Sequence, residues 1–118
     1  MKFPVWDASI KLTVALYKIT NDGFFDSEPV LRGQIRSNCI NLLANISNAM
    51  KERSYDSKIY FLKRSKVSSV NVENLVIVAE ALGALDSKLA KEFKKEVEDI
   101  GVQIDKLSIT FYKKKKVK

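Results

Sequence analysis

The residues of this 118-residue chain that are best suited to binding a charged ligand are its 21 lysines and arginines. Residues 32–66 carry eight basic and two acidic side chains, and residues 113–118 carry five lysines and no acid. Residues 1–31 and 67–112 hold more acids than bases. Segregation of a net charge of +7 in this way predicts a surface that binds a polyanion. The alternative is a solvated basic face without a ligand.

The types of these residues favour nucleic acid as the polyanion. The planar fork of arginine matches a phosphate, and tyrosine can stack on an unpaired base. We therefore predict salt-dependent binding that is led by phosphate contacts and has little base readout. The predicted nucleic-acid-binding residues are Arg32, Arg36, Lys51, Arg53, Tyr55, Lys58, Lys63, Arg64, Lys66, Lys113, Lys114, Lys115 and Lys116.

The composition argues against catalysis. The chain has no histidine, which excludes Ser-His-Asp and Cys-His catalysis and histidine-ligated metal sites. The single cysteine, Cys39, forms neither an intrachain disulfide nor a cysteine zinc site. The four glycines are isolated and lack the spacing of a nucleotide-binding loop. We predict a protein that is not an enzyme and that has no cofactor and no metal.

Cys39 and a row of asparagines share one predicted helix. Cys39 falls on its apolar stripe and is interpreted as a small core residue rather than a nucleophile. The asparagines form either an ordinary polar face or hydrogen bonds across a helix–helix or subunit interface, and the sequence leaves both open. They recur at steps of three and four residues: Asn38, Asn41, Asn45 and Asn48.

Four segments place apolar residues at helical spacing, and short breaks separate them. They cover about residues 5–20, 28–53, 57–82 and 87–112. Serines occupy the middle of the third, which predicts close approach of a neighbouring helix. This pattern predicts an all-α fold, an antiparallel up-down-up-down four-helix bundle in one domain over residues 1–112. The lysine run at 113–118 is predicted to be a mobile basic tail.

The first segment is apolar on two sides. Trp6, Ile10 and Tyr17 lie on one face, and Leu12 and Leu16 lie on another. A helix in a lone bundle needs one apolar face, so the second predicts a contact between subunits.

The sequence has no signal for a membrane. No stretch reaches the roughly 18 apolar residues of a membrane span, and the N-terminus lacks the apolar run of a signal peptide. A single cysteine fits a reducing compartment. We expect a soluble, cytoplasmic protein.

The order of several short motifs resembles a known four-helix-bundle superfamily. One branch contains the proteins encoded in intervening sequences of bacterial 23S rRNA genes. Val5-Trp6, Gln34-Ile35-Arg36 and Ile100-Gly101 are similar to that branch, although Ser47-Asn48-Ala49 departs from its Ala-Glu-Gly. The other branch contains the accessory variability determinant (Avd) proteins of diversity-generating retroelements. Segments similar to Avd are Tyr55-Asp56-Ser57-Lys58 and Phe61-Leu62-Lys63-Arg64-Ser65.

The resemblance implies a homopentamer of four-helix protomers that forms a basic barrel. For the Avd branch it further implies a reverse transcriptase as partner and the binding of RNA or DNA. For the intervening-sequence branch it implies no defined molecular role. A third possibility is an adaptor whose basic face binds an acidic protein. The sequence favours the Avd-like nucleic-acid-binding scaffold.

Overall fold

The structure is a computed structural model that describes residues 3–117. This part of the chain contains four long helices and no strand, so the predicted all-α class is confirmed. A short 3₁₀ turn, Gly23–Ser27, connects the first two helices. The helices are α1 (Pro4–Ile19), α2 (Pro29–Lys51), α3 (Tyr55–Ala81) and α4 (Ser87–Val117).

Local sequence explains where the helices begin and end. Pro4 and Pro29 lie in the first turns of α1 and α2, where a missing N–H costs no helical hydrogen bond. The Ser54 hydroxyl caps α3 by accepting a hydrogen bond from the backbone N–H of Ser57 at 3.0 Å. Gly83 follows α3 with a φ of 83°, a left-handed conformation that glycine adopts without strain.

Consecutive helices run antiparallel. Arg36 at the start of α2 contacts the end of α1, and Lys58 at the start of α3 contacts the end of α2. Tyr55 at the start of α3 stacks on Phe111 near the end of α4. Within the described residues, α1 and α3 each pack against α2 and α4 and not against each other. The helices therefore form an elongated square bundle, 53 × 21 × 21 Å, with α1 diagonally opposite α3.

The core contains the predicted apolar stripes, and the serines of α3 let the helices approach. Ser65 and Ser69 are buried, and each hydroxyl donates at 2.7 Å to a carbonyl one turn earlier in its own helix. Their polar atoms are thereby satisfied without a partner on another helix. The largest fully buried side chains include Phe25, Leu12, Leu16, Ile35, Leu42, Ile46, Leu62, Ile100 and Ile104.

Cys39 belongs to this core, as interpreted. Its side chain is fully buried, and burial raises the pKa of its thiol to about 12. A nucleophilic cysteine needs an exposed thiol with a lowered pKa. Cys39 has the opposite environment.

The last helix is longer than predicted. α4 continues through the lysine run to Val117, so the predicted helix end near Tyr112 is wrong, whereas the mobility of the run stays a prediction; Lys118 lies outside the described residues. Lysine is a good helix former, and cations are favourable at the negative end of the helix dipole. Lys115 also pairs with Asp56 of α3 at 2.6 Å. The lysine run therefore continues α4 as a helix, and Lys115 connects it to α3.

Candidate nucleic-acid interface

Arg32 and Arg36 hold the C-terminal end of α1. The Arg32 Nε donates to the carbonyl of Thr20 at 2.9 Å, and its Nη2 pairs with Asp26 at 2.6 Å. The Arg36 Nε donates to the Thr20 hydroxyl at 2.9 Å, and its Nη2 donates to the Tyr17 carbonyl at 3.1 Å. A helix end leaves carbonyls without helical partners, and these two guanidinium groups supply donors to them. Both predicted phosphate ligands are thus engaged within the protein.

Arg36 has two further contacts. Its Nη2 donates to the Asn21 side chain at 2.8 Å, and its guanidinium carbon lies 4.7 Å from the centre of the Tyr17 ring. An arginine over an aromatic face gains a cation–π interaction. The sequence placed Arg32 and Arg36 on one face, which is correct, but that face is directed at α1.

A second group of predicted residues meets at one end of the bundle. The antiparallel arrangement brings the end of α2, the start of α3 and the end of α4 together there. Residues 51–58 and 113–116 hold seven basic and two acidic side chains. We call these two segments the basic end.

The ring of Phe111 lies at the centre of the basic end. Tyr55 stacks on it with the ring centroids 5.8 Å apart. The ammonium groups of Lys58 and Lys114 lie 5.6 and 6.0 Å from its centroid. Phe111 is not among the predicted ligands because its position on the apolar stripe of α4 marks it as a core residue.

Some basic side chains of this end are already bonded within the protein, and others are exposed. The ammonium of Lys58 donates to the carbonyls of Ala49 and Met50 at 3.1 and 3.3 Å, and so caps α2. A hydrogen bond to Asp56 raises the pKa of Lys115. The predicted ligands of this end that are exposed are Lys51, Arg53, Lys113, Lys114, Lys115 and Lys116, of which Lys115 is paired with Asp56.

Tyr112 directly precedes the lysine segment of the basic end and is not among the predicted ligands. It is 49% exposed, and the Lys116 ammonium lies 4.8 Å from the centre of its ring. An exposed aromatic ring among cations provides a surface on which a base can stack. The signal in the sequence was its position directly before the lysine run.

The basic residues in the first half of α3 divide into two kinds. Lys63 and Arg64 are exposed, and Arg64 lies beside the ring of Tyr60 at 5.6 Å. Lys66 is directed toward α4, where its ammonium pairs with Asp105 at 2.6 Å and contacts the Gly101 carbonyl at 3.3 Å. Lys63 and Arg64 therefore extend the basic surface along α3, whereas Lys66 connects two helices.

The asparagines of α2 border a groove against α3. Asn71 of α3 donates to the side-chain oxygen of Asn38 at 3.1 Å, and Asn45 donates to the backbone of Asn41. Arg64 lines the same groove. The sequence left open whether the asparagines form a plain polar face or hydrogen bonds between helices. Asn38 forms a hydrogen bond between helices.

A pair of carboxyl groups crosses the interface of α3 and α4. Burial, a hydrogen bond shared with Glu98 and the charge of Glu98 together raise the pKa of Glu73, against the opposing effect of Lys94 and Lys66. A carboxyl whose pKa is raised by folding stabilises the fold below its unfolded pKa, and this contribution is lost as the pH rises through the folded pKa.

We therefore predict that Glu73→Gln stabilises the protein at pH 7, by about 0.3 kcal/mol, the size of a like-charge pair on a helix surface. The gain should disappear below about pH 4, where the carboxyl is protonated in both states. Urea unfolding of both proteins at pH 7 and pH 3.5 measures this. A difference that is the same at both pH values would contradict the assignment.

Comparison with known proteins reveals the family. The model of the family described as "23S rRNA-intervening sequence protein" matches residues 1–106, which is most of the chain. The chain belongs to this family. The resemblance to the superfamily that contains it is confirmed, and the match favours the intervening-sequence branch.

A solved structure agrees with this family's fold. A protein of unknown function from the S23 ribosomal protein family of Bacteroides thetaiotaomicron superposes with a TM-score of 0.81. The two chains are 18% identical, over 88% of this chain and 97% of the other, so the likeness concerns the fold alone. No curated protein matches the sequence.

The match to the 23S rRNA-intervening sequence family ends before the last turns of α4. The lysines at 113–116 lie beyond it, so the basic end combines a matched segment, residues 51–58, with an unmatched one. Between residues 3 and 117, no helix has both the length and the apolar character of a membrane span. The same residues contain no cluster of Cys, Asp or Glu suited to a metal ion.

Proposed function

We propose that this protein is a non-catalytic RNA-binding protein whose basic end contacts the phosphate backbone. The observation that carries this proposal is the meeting of seven basic side chains, against two acidic ones, around Phe111. Phosphates would lie along the exposed cations Lys51, Arg53, Lys113 and Lys114, and Tyr112 would stack on a base. RNA is the first choice of nucleic acid because the name of the family connects its members with 23S rRNA genes.

The arrangement explains why binding would depend on salt and little on sequence. Lysine ammonium groups act as point charges toward phosphate, and the aromatic ring of Tyr112 accepts any base. Lys63 and Arg64 extend the positive surface along α3 and would lengthen the site for a single strand. Each phosphate neutralised on a single strand contributes about 0.7 units to the slope of log K against log salt.

The experiment measures the binding of a fluorescent 20-nucleotide single-stranded RNA by anisotropy from 50 to 300 mM KCl. The test variant is Lys51→Ala/Arg53→Ala/Lys113→Ala/Lys114→Ala. We expect its affinity at 150 mM KCl to fall at least about tenfold and its salt slope to fall by about three units.

The matched control removes the same charge at the other end of the bundle. Its substitutions affect four exposed lysines: Lys18→Ala, Lys88→Ala, Lys91→Ala and Lys95→Ala. We expect this variant to keep most of its RNA affinity. Equal losses in both variants would mean that only net charge matters, and this result would refute the proposed site. A poly-glutamate competitor that displaces RNA stoichiometrically would favour an adaptor for an acidic protein.

We also propose that copies of the chain assemble into a homopentameric barrel, as the resemblance implies. Exposed apolar side chains on more than one side of the bundle support contacts between copies. Light scattering should give five times the protomer mass. A monomeric mass at 100 µM protein would refute the assembly and leave the RNA proposal unaffected.

The second candidate is an Avd-like accessory protein that binds a reverse transcriptase. It is favoured by one observation, which is that the segments similar to Avd, residues 55–58 and 61–65, form the start of the basic surface on α3. Copurification with a reverse transcriptase encoded by a neighbouring gene would support this candidate. A gene that lies within a 23S rRNA gene would exclude it.

A further inference from the structure

One side of the bundle is almost free of charge. Residues 37–50 of α2 and 67–79 of α3 contain a single charged residue, Glu73, in a chain that is 30% charged. Glu73 is directed at α4, where it meets Glu98. We call these two segments the uncharged side. A helix segment that only faces solvent normally carries charges on its outer face, and these two segments carry one between them.

Apolar side chains are exposed along this side. On α3, Val67, Val70, Ile77 and Val78 are 62, 42, 46 and 45% exposed. The groove beside Val70 continues to Val102 of α4, which is 49% exposed. These residues form the α3 edge of the uncharged side. A solvated surface rarely keeps so many β-branched apolar residues on one helix face.

The opposite edge of the uncharged side also exposes apolar side chains, although Lys11 and Lys18 flank it on α1. Ile40 of α2 is 45% exposed, and Val14 and Tyr17 of the adjoining α1 are 46 and 36% exposed. These residues form the α1–α2 edge. Because α1 lies diagonally opposite α3, one protomer cannot cover either edge with the other.

We infer that the uncharged side is the contact surface between copies of this chain, with the α3 edge of one copy packed on the α1–α2 edge of the next. This inference rests on the assembly in the proposed function and specifies its interface. Two different edges on one protomer make a head-to-tail contact, and such contacts form a ring when the rotation from copy to copy closes, as it does in a pentamer. A contact of one edge with itself would stop at a dimer.

Charge and hydrogen bonding both identify a second copy as the occupant. Two copies each carry a net charge of +7 and therefore repel each other overall, and the uncharged side is a surface on which they can approach without bringing like charges together. An acidic partner would instead be drawn to the basic end. Most polar groups on the uncharged side are the amides of asparagines, which both donate and accept, so the same amides on another copy complement them. Asn71 and Asn38 already form such an amide pair within one chain.

The test compares variants that damage one edge each. Val67→Glu/Ile77→Glu damages the α3 edge, and Val14→Glu/Ile40→Glu damages the α1–α2 edge. We expect each variant to be monomeric by light scattering at 100 µM and to keep its helical circular dichroism. The control, Val30→Glu/Val117→Glu, changes two residues that are 77 and 88% exposed elsewhere, and it should assemble like the wild type.

Mixing the two damaged variants tests the head-to-tail arrangement. An equimolar mixture should form a dimer, because one intact edge of each kind remains for a single interface. If each variant is monomeric and the mixture stays monomeric, the two edges do not meet and the inference is wrong. Wild-type protein that assembles while both variants also assemble would overturn this inference alone. Monomeric wild-type protein would overturn it together with the proposed assembly.

Discussion

Replacing Phe25 with alanine is expected to lower the free energy of unfolding by about 3–5 kcal/mol, the usual range for a fully buried phenylalanine. Phe25 is 0% exposed although it lies in the 3₁₀ turn between α1 and α2 and not in a helix of the bundle. Its ring closes one end of the core. Truncation leaves a cavity that the short turn has little freedom to fill. Urea unfolding followed by circular dichroism measures the change.

The neighbouring residue provides the control. Phe24 contacts Phe25 edge to face, with the centroids 6.2 Å apart, but it is 38% exposed. Phe24→Ala should therefore cost less than half as much. Equal losses at the two positions would show that the turn is held by general apolar contact and not by the insertion of Phe25.

The double substitution Arg32→Ala/Arg36→Ala is expected to lower the free energy of unfolding by about 2–3 kcal/mol. It removes the donors to the Thr20 carbonyl, the Thr20 hydroxyl and the Tyr17 carbonyl at the end of α1. This total is well below the sum for three hydrogen bonds to charged groups, each about 1.5–3 kcal/mol, because solvent reaches these arginines and screens them. Urea unfolding at pH 7 gives this value.

The same variant distinguishes the two groups of basic residues. Its RNA affinity should stay within about threefold of wild type, because both guanidinium groups are engaged within the protein. Lys51→Ala/Arg53→Ala, which removes the same charge from exposed positions, should lose affinity and keep its stability to within about 0.5 kcal/mol. If Arg32→Ala/Arg36→Ala loses RNA affinity while it remains folded, these arginines contact RNA after all.

The sequence was sufficient for the helices and most of the core because both depend on apolar spacing. The buried positions Ile35, Cys39, Leu42 and Ile46 follow the predicted stripe of α2. The predicted end of α4 was wrong because a run of like charges was interpreted as lying outside the helix. The pairing of Lys115 with Asp56, which are distant in sequence, holds that run against α3.

The partners of the basic residues could not be predicted. Arg36 contacts Tyr17 and Thr20, which are 19 and 16 residues earlier, and only the packing of α1 on α2 brings them together. Spacing places residues on one face and does not say whether another helix covers that face. By contrast, the antiparallel topology already implied that the end of α2, the start of α3 and the end of α4 share one end of the bundle.

Different surfaces of the bundle have different proposed tasks. The basic end holds one group of exposed cations, and the uncharged side holds a group of exposed valines and amides. Assembly through the uncharged side would repeat the basic end around a ring and present several positive sites to one RNA. Linked sites bind one strand more tightly than a single site does. Variants of each surface should therefore affect RNA binding differently, with single-site affinity lost at the basic end and only the gain from linkage lost at the uncharged side.

Photocrosslinking to RNA shows directly whether the basic end binds RNA. Wild-type protein is irradiated with a 4-thiouridine-containing single-stranded RNA at 150 mM KCl, and the crosslinked peptides are identified by mass spectrometry. We predict crosslinks within residues 51–64 and 111–116, with Tyr112 among the modified residues. Crosslinks confined to residues 1–40 or 67–106 would contradict the claim that this protein binds RNA through its basic end.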